Sequence, residues 1–111
     1  YGSAKAAQLH LSRLNAAELG KDGIRVNVVN PDAVISGSNI WNNGWAEGRA
    51  KAYGIKVEEL PAYYANRTLL NEIIEPEDIA NACFAYVGGL LNKTTGNVIN
   101  VDGGIAVSFV R

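Results

Sequence analysis

The sequence predicts an α/β fold in the order α-β-α-α-α-β. Two short runs, "IRVNVVN" and "NVINV", are β-branched and suit strands buried in a parallel sheet. In the segments around them apolar residues recur at spacings of three and four, which is the helical period. The stretch between the two runs is long and helical, so the strands pair in parallel through a right-handed crossover.

The first helix covers residues 1–20, with Ala4, Ala7, Leu11 and Leu14 forming its apolar stripe. Gly20 and Gly23 flank "KDG", a stop-and-turn signal. The first strand covers 24–30 and ends at Pro31, which has no N–H for a ladder. Residues 31–45 are a loop rich in Ser, Gly and Asn. "WAEGRAKAYG" is a short helix closed by Gly54, and a further helix begins near Leu60, with Pro61 in its first turn, and runs on through "ANRTLL". The clearest helix is 76–88, opened by Pro76 and flanked by Glu75, Glu77 and Asp78, which complement its positive end. Ile79, Ala82, Cys83, Tyr86 and Val87 make its apolar stripe, and Gly88 and Gly89 stop it. The last strand covers 97–101. Two strands make a poor sheet, and one would leave an apolar edge unpaired. The pattern is half a sheet, whose other strands lie upstream or come from another chain.

Composition excludes several roles. Ten basic residues against eleven acidic give a net charge of −1, which removes the electrostatic case for nucleic acid or an acidic membrane as partner. No run approaches the ~18 apolar residues of a membrane span, and no signal-peptide pattern is visible, so a cytoplasmic location is expected. One cysteine and one histidine exclude an internal disulfide and a multi-histidine or multi-cysteine metal site.

Tyr1 and Lys5 stand one helical turn apart, so their side chains share a face. An ammonium beside a phenol favours the phenolate. A tyrosine tuned in this way can take a proton from an alcohol or return one to a carbonyl oxygen. Alone, the pair reads by default as part of an ordinary surface helix.

Its context is more specific. "YGSAKAAQLHLSRLNAAEL", "GIRVNVVNPDAV" and "EPEDIANACFAYVGGLLNKTTGNVINVDGG" follow one another as in the second half of the short-chain dehydrogenase/reductase family, which nearly the whole chain resembles. The resemblance implies the C-terminal portion of a Rossmann-like, doubly wound parallel sheet, incomplete without its upstream strands, over residues 1–111. It implies Tyr1 as general acid/base and Lys5 as the group that tunes Tyr1 and bonds the nicotinamide ribose. Where the family has Pro-Gly-x-Val-x-Thr this chain has Pro31-Asp32-Ala33-Val34-Ile35-Ser36. Val34 is then the backbone contact to the carboxamide, Ser36 stands in for threonine, and Asp32 departs from the usual glycine. Ser38, Asn39 and Trp41 fall in the substrate-facing loop. The implied cofactor is NAD or NADP, and the residue that separates the two lies upstream. The implied partners are a small alcohol or aldehyde, the upstream half of the same domain, and further copies in a homo-oligomer. The family's glycine-rich turn and catalytic serine also precede its tyrosine, so the 111 residues alone are expected to be inactive.

A narrower resemblance, carried by "NPDAVISGSNIW", "RAKAYGI", "YY" and "RTLL", is to the dehydrogenase part of bifunctional rhamnulose-1-phosphate aldolase/alcohol dehydrogenases. It implies rhamnose breakdown, with lactaldehyde or a related hydroxy-aldehyde as substrate. The alternatives are a generic member, such as a 3-oxoacyl-carrier-protein or sugar-alcohol reductase, and a non-catalytic piece kept for assembly.

Other residues have simpler readings. His10 is a solvated or packed histidine, and Cys83 a small core residue. Asp102 makes a turn before Gly103-Gly104, at an end that packs near subunit interfaces in the resembling family. Asn66 and Asn92 match glycosylation acceptors with nothing to indicate secretion. "AYY" at 62–64 is helix packing, while Trp41 and Trp45 either line a pocket or pin the loop.

Overall fold

The computed structural model describes residues 1–108. The elements are α1 (Gly2–Leu19), β1 (Val28–Pro31), α2 (Trp45–Tyr53), α3 (Leu60–Ala65), α4 (Pro76–Val87) and β2 (Val98–Val101), with 3-10 turns between several of them. The strands form a two-stranded sheet. Val28 donates to the Asn97 carbonyl at 3.0 Å and Asp32 to Val101 at 3.2 Å, so donors and acceptors advance together and the pair is parallel. The chain divides into two compact units, one of Tyr1–Asn30 and Ala80–Asn100, the other of Pro31–Ile79 and the residues from Val101 onward.

In the first unit, α1 runs into a 3-10 turn over Gly20–Asp22, and Gly23 turns the chain at φ 74°. The face of α1 that packs is not the expected stripe. Ala16 is buried and Leu9, Ser12 and Leu19 are half-buried, whereas Ala4, Ala7, Leu11 and Leu14 are exposed. Alanine and leucine occur on more than one side of this helix, so periodicity alone could not select the packed face. Ala16 lies against the turn before β2, where a Cβ on Gly96 would stand 3.6 Å from it.

β1 begins at Val28 rather than Ile24, because side chains satisfy the preceding backbone. Val26 N–H donates to the Thr95 hydroxyl at 3.0 Å. The Asn27 amide donates to the Thr94 carbonyl and accepts from Asn97 N–H. The Arg25 guanidinium reaches the carbonyls of Tyr86, Leu91 and Thr94. β1 also extends through Pro31 rather than stopping before it; proline is tolerated as the last residue because Asp32 supplies the next donor. Val28 and Val29 are half-buried, as a two-stranded sheet permits.

Tyr86 is the buried residue of α4 and donates to Asn97 Oδ1 at 2.9 Å. Cys83 is exposed, which corrects its expected place in the core. It lines an open hollow of about 250 Å³ with Arg25, Asn27, Val29, Tyr86 and Val87, so that part of the α4 stripe faces space rather than a packed neighbour.

The second unit has a closed core. Ala50, Leu60 and Tyr64 are buried, and Ala33, Ile35, Trp41, Tyr53 and Tyr63 pack around them. α2 ends at Gly54 in the left-handed conformation, φ 70°. α3 stops at Ala65 instead of running on to Leu70. The Thr68 hydroxyl donates to the Ala65 carbonyl at 3.0 Å and accepts from Glu72 N–H, while the N–H groups of Leu69 and Leu70 turn to the Gly104 and Gly103 carbonyls, and the helical ladder ends. Asp78 caps the start of α4 by accepting from Glu75 N–H at 2.9 Å. After β2, Asp102 Oδ1 accepts from Gly104 N–H at 2.8 Å, the turn expected there. A Cβ on Gly103 would lie 2.8 Å from that of Thr68, so only glycine allows this approach.

Candidate functional site

The residues singled out in the sequence fall into two groups, one in each unit. Tyr1 and Lys5 belong to the first. Tyr1 is the N-cap of α1, and its carbonyl accepts from Lys5 N–H at 3.0 Å, which closes the first turn. The Lys5 ammonium lies over the tyrosine ring, 5.7 Å from its centroid. It also donates to Gln8 Oε1 at 3.3 Å. The geometry brings the pair together as the four-residue spacing requires. Tyr1 is 97% exposed, however, so solvent screens the interaction and these residues do not themselves supply low-dielectric surroundings. His10 is exposed and has no recorded partner among the described residues.

Pro31, Asp32, Val34, Ser36, Ser38, Asn39 and Trp41 follow one another along the loop of the second unit. Ala33 and Ile35 pack against the Ala50–Leu60–Tyr64 core, which fixes the loop between them. The Val34 carbonyl accepts from the Trp41 indole at 2.8 Å. The Val34 N–H and the Ser36 hydroxyl have no partner among the described residues. Asp32 is not among the residues with positive φ, so the backbone here does not need the freedom of a glycine. Ser38 accepts from Ile40 N–H and Asn39 from the Asn42 amide, both local bonds that shape a 3-10 turn.

Sequence reasoning left Trp41 open between pocket wall and pin; the indole bond gives it a pinning contact to the loop. Its ring meets Tyr64 edge-on at 5.3 Å. Arg67 was not singled out. Its guanidinium lies 5.0 Å above the Tyr64 ring and 4.0 Å from the Asp32 carboxylate. Two signals could have found it: its place one helical turn after Tyr64, and the unusual anion at position 32. The Tyr64 hydroxyl lies 3.3 Å from that of Tyr53. Burial, then this hydrogen bond and the Tyr53 charge, push Tyr64 up to about 12 against the opposing pull of Arg49 and Arg67. Tyr63 stacks on Tyr53 at 4.4 Å, so "AYY" is packing. Among the described residues no group of three metal-binding side chains gathers, and no helix is long and apolar enough to cross a membrane.

Residues 1–106 match the family profile described as enoyl-(acyl carrier protein) reductase. The chain belongs to the short-chain dehydrogenase/reductase family. Its similarity to other short-chain dehydrogenase/reductase proteins spans its length. It is 50% identical to the uncharacterized oxidoreductase YuxG of Bacillus subtilis (strain 168) over 111 residues, all of this chain and 16% of that protein. It is 34% identical to the D-erythrulose reductase of Gallus gallus over 108 residues, 97% of this chain and 39% of the other. The crystal structure of a short chain dehydrogenase family protein from Francisella tularensis subsp. tularensis SCHU S4 superposes with a TM-score of 0.81 at 27% identity, over 97% of this chain and 43% of that one. The two units therefore form part of a Rossmann fold, and the chain spans less than half the length of these relatives.

Proposed function

We propose that this chain is the C-terminal half of an NAD(P)-dependent short-chain dehydrogenase/reductase domain that interconverts a small alcohol and its carbonyl compound. The observation that carries the reading is the Tyr1–Lys5 pair, one turn apart at the head of α1 with the ammonium over the phenol ring. Tyr1 exchanges the proton of the substrate oxygen. Lys5 shares the helical face of Tyr1 and would bond the ribose of a bound cofactor. A bound nicotinamide supplies the hydride acceptor or donor. The residues of the loop fit that group: among the described residues neither the Val34 N–H, which would donate to a carboxamide, nor the Ser36 hydroxyl has a partner, and Asp32 adopts the local backbone without strain.

The finer reading is a bifunctional protein in rhamnose breakdown, in which an aldolase domain precedes the dehydrogenase and the substrate is lactaldehyde or a related 2-hydroxy-aldehyde. The resemblance of 30–70 supports it. So does length, since 111 residues are 16% of YuxG, about 690 residues in all, whereas 108 are 39% of the D-erythrulose reductase, about 280. YuxG has room for a second domain and the reductase does not. A generic sugar-alcohol or ketose reductase is the second reading, favoured by the similarity to the D-erythrulose reductase.

The test is nicotinamide absorbance with the full-length protein, each cofactor, and lactaldehyde, other 2-hydroxy-aldehydes or 1,2-diols. We expect turnover that Tyr1→Phe reduces by about 10²–10⁴-fold, the usual worth of a positioned acid/base. Undiminished turnover in Tyr1→Phe removes the assigned role. The 111-residue chain assayed alone gives none.

A further inference from the structure

We propose that a clamp centred on Tyr64 holds the loop 31–36 in its cofactor-binding shape, with Trp41 and Arg67 as positioning residues. This rests on the reading of that loop as the nicotinamide site. Three consecutive stretches of it are tied to the same small core. At its start, the Asp32 carboxylate faces the Arg67 guanidinium at 4.0 Å. In its middle, Ala33 and Ile35 pack on the core. Between them, the Val34 carbonyl accepts the Trp41 indole proton at 2.8 Å. The outer ties converge on one ring: Trp41 meets Tyr64 edge-on at 5.3 Å, and Arg67 lies over it at 5.0 Å. Tyr64 is itself fixed, 8% exposed and within 3.3 Å of the Tyr53 hydroxyl.

The arrangement sorts the backbone groups of Val34. Trp41 occupies the carbonyl, and the N–H has no partner among the described residues. A carboxamide oxygen arriving at Val34 therefore meets a donor whose flanking residues are already held, and binding does not have to order the loop. The clamp also gives Asp32 a purpose. The backbone does not require glycine there, and aspartate supplies the anion that Arg67 faces.

The experiment measures binding by the full-length protein, calorimetrically, of the nicotinamide dinucleotide and of ADP-ribose (or its 2′-phosphate), which lacks the nicotinamide. Trp41→Phe keeps the ring against Tyr64 and removes only the N–H. Its dinucleotide Kd is expected to rise about 5–10-fold, as for one lost hydrogen bond, with ADP-ribose affinity held within about 2-fold. Asp32→Gly, which restores the residue usual in the family, and Arg67→Gln should each weaken dinucleotide binding by about 2–4-fold, as befits a partly exposed pair. The double variant should be no weaker than the worse single one, because the two residues act together. Equal loss for both ligands, or dinucleotide affinity unchanged in Trp41→Phe and Asp32→Gly, overturns the clamp and leaves the functional reading standing. A wild-type protein that binds no nicotinamide dinucleotide overturns both. Should Trp41→Phe fail to fold, Asp32→Gly decides alone.

Discussion

The two units bury their apolar residues very differently. The second unit closes a core: Leu60 is 2% exposed, and four aromatic rings interlock beside it. In the first, the buried apolar residues are Ala16 and Tyr86; large apolar side chains stand more than half exposed in both units, Leu11, Phe84 and Val87 in the first and Ile40, Leu69 and Leu70 in the second. What holds the first unit is largely polar: Arg25 on three carbonyls, Asn27 and Thr95 on the backbone, and Tyr86 on Asn97. The loop 31–36 is thus framed by its own unit. The tyrosine–lysine pair stands on a helix with little packing of its own.

The sharpest test compares two leucines in the full-length protein. Leu60→Ala empties the second core and should cost about 3 kcal/mol in urea unfolding. Leu11→Ala, on the exposed face of α1, should stay within about 0.5 kcal/mol if that face is also open in the full-length protein. Equal costs would break the contrast, and would mean that something covers α1. Next in size is Arg25→Ala. Removing a guanidinium that serves three carbonyls should cost about 2 kcal/mol by the same measurement, and a cost near zero would deny the first unit its polar staple.

The smallest effect at ordinary pH comes from Tyr64. Its phenol is raised from 10.0 to about 12, so the fold favours the neutral form. That stability is complete below pH 10 and is lost as pH rises through the folded value, between pH 10 and 12. The thermal midpoint should therefore fall across that window, and by less in Tyr64→Phe. An identical alkaline profile in the variant would show that Tyr64 is not the group responsible.

Much of this was legible in the sequence. The element order, the start of α4 and the left-handed Gly54 follow from periodicity and terminal residues, which are local signals. The i, i+4 geometry of Tyr1 and Lys5 is equally local. What escaped depends on partners distant in sequence. β1 starts late because Arg25 and Asn27 find carbonyls more than sixty residues away. The packed face of α1 depends on where Gly96 lies, and Cys83 is exposed because no described residue fills the hollow beside it. α3 ends early because the N–H groups of Leu69 and Leu70 find the carbonyls of Gly104 and Gly103, more than thirty residues away. Arg67 and the purpose of Trp41 could not be read without knowing which ring they share.

The indole bond between Trp41 and Val34 also closes a ring of covalent chain, since the segment between them begins and ends at one hydrogen bond. A closed ring has a fixed circumference. An added or deleted residue within 35–40 must either bulge the loop or release the bond, and the bond from Ser38 N–H to the Ile35 carbonyl already spans part of the ring. Just outside it, a second and smaller ring is closed by Trp45 N–H donating to the Asn42 carbonyl at 3.3 Å. A change of loop length in this protein therefore meets a closed ring on either side of Trp41.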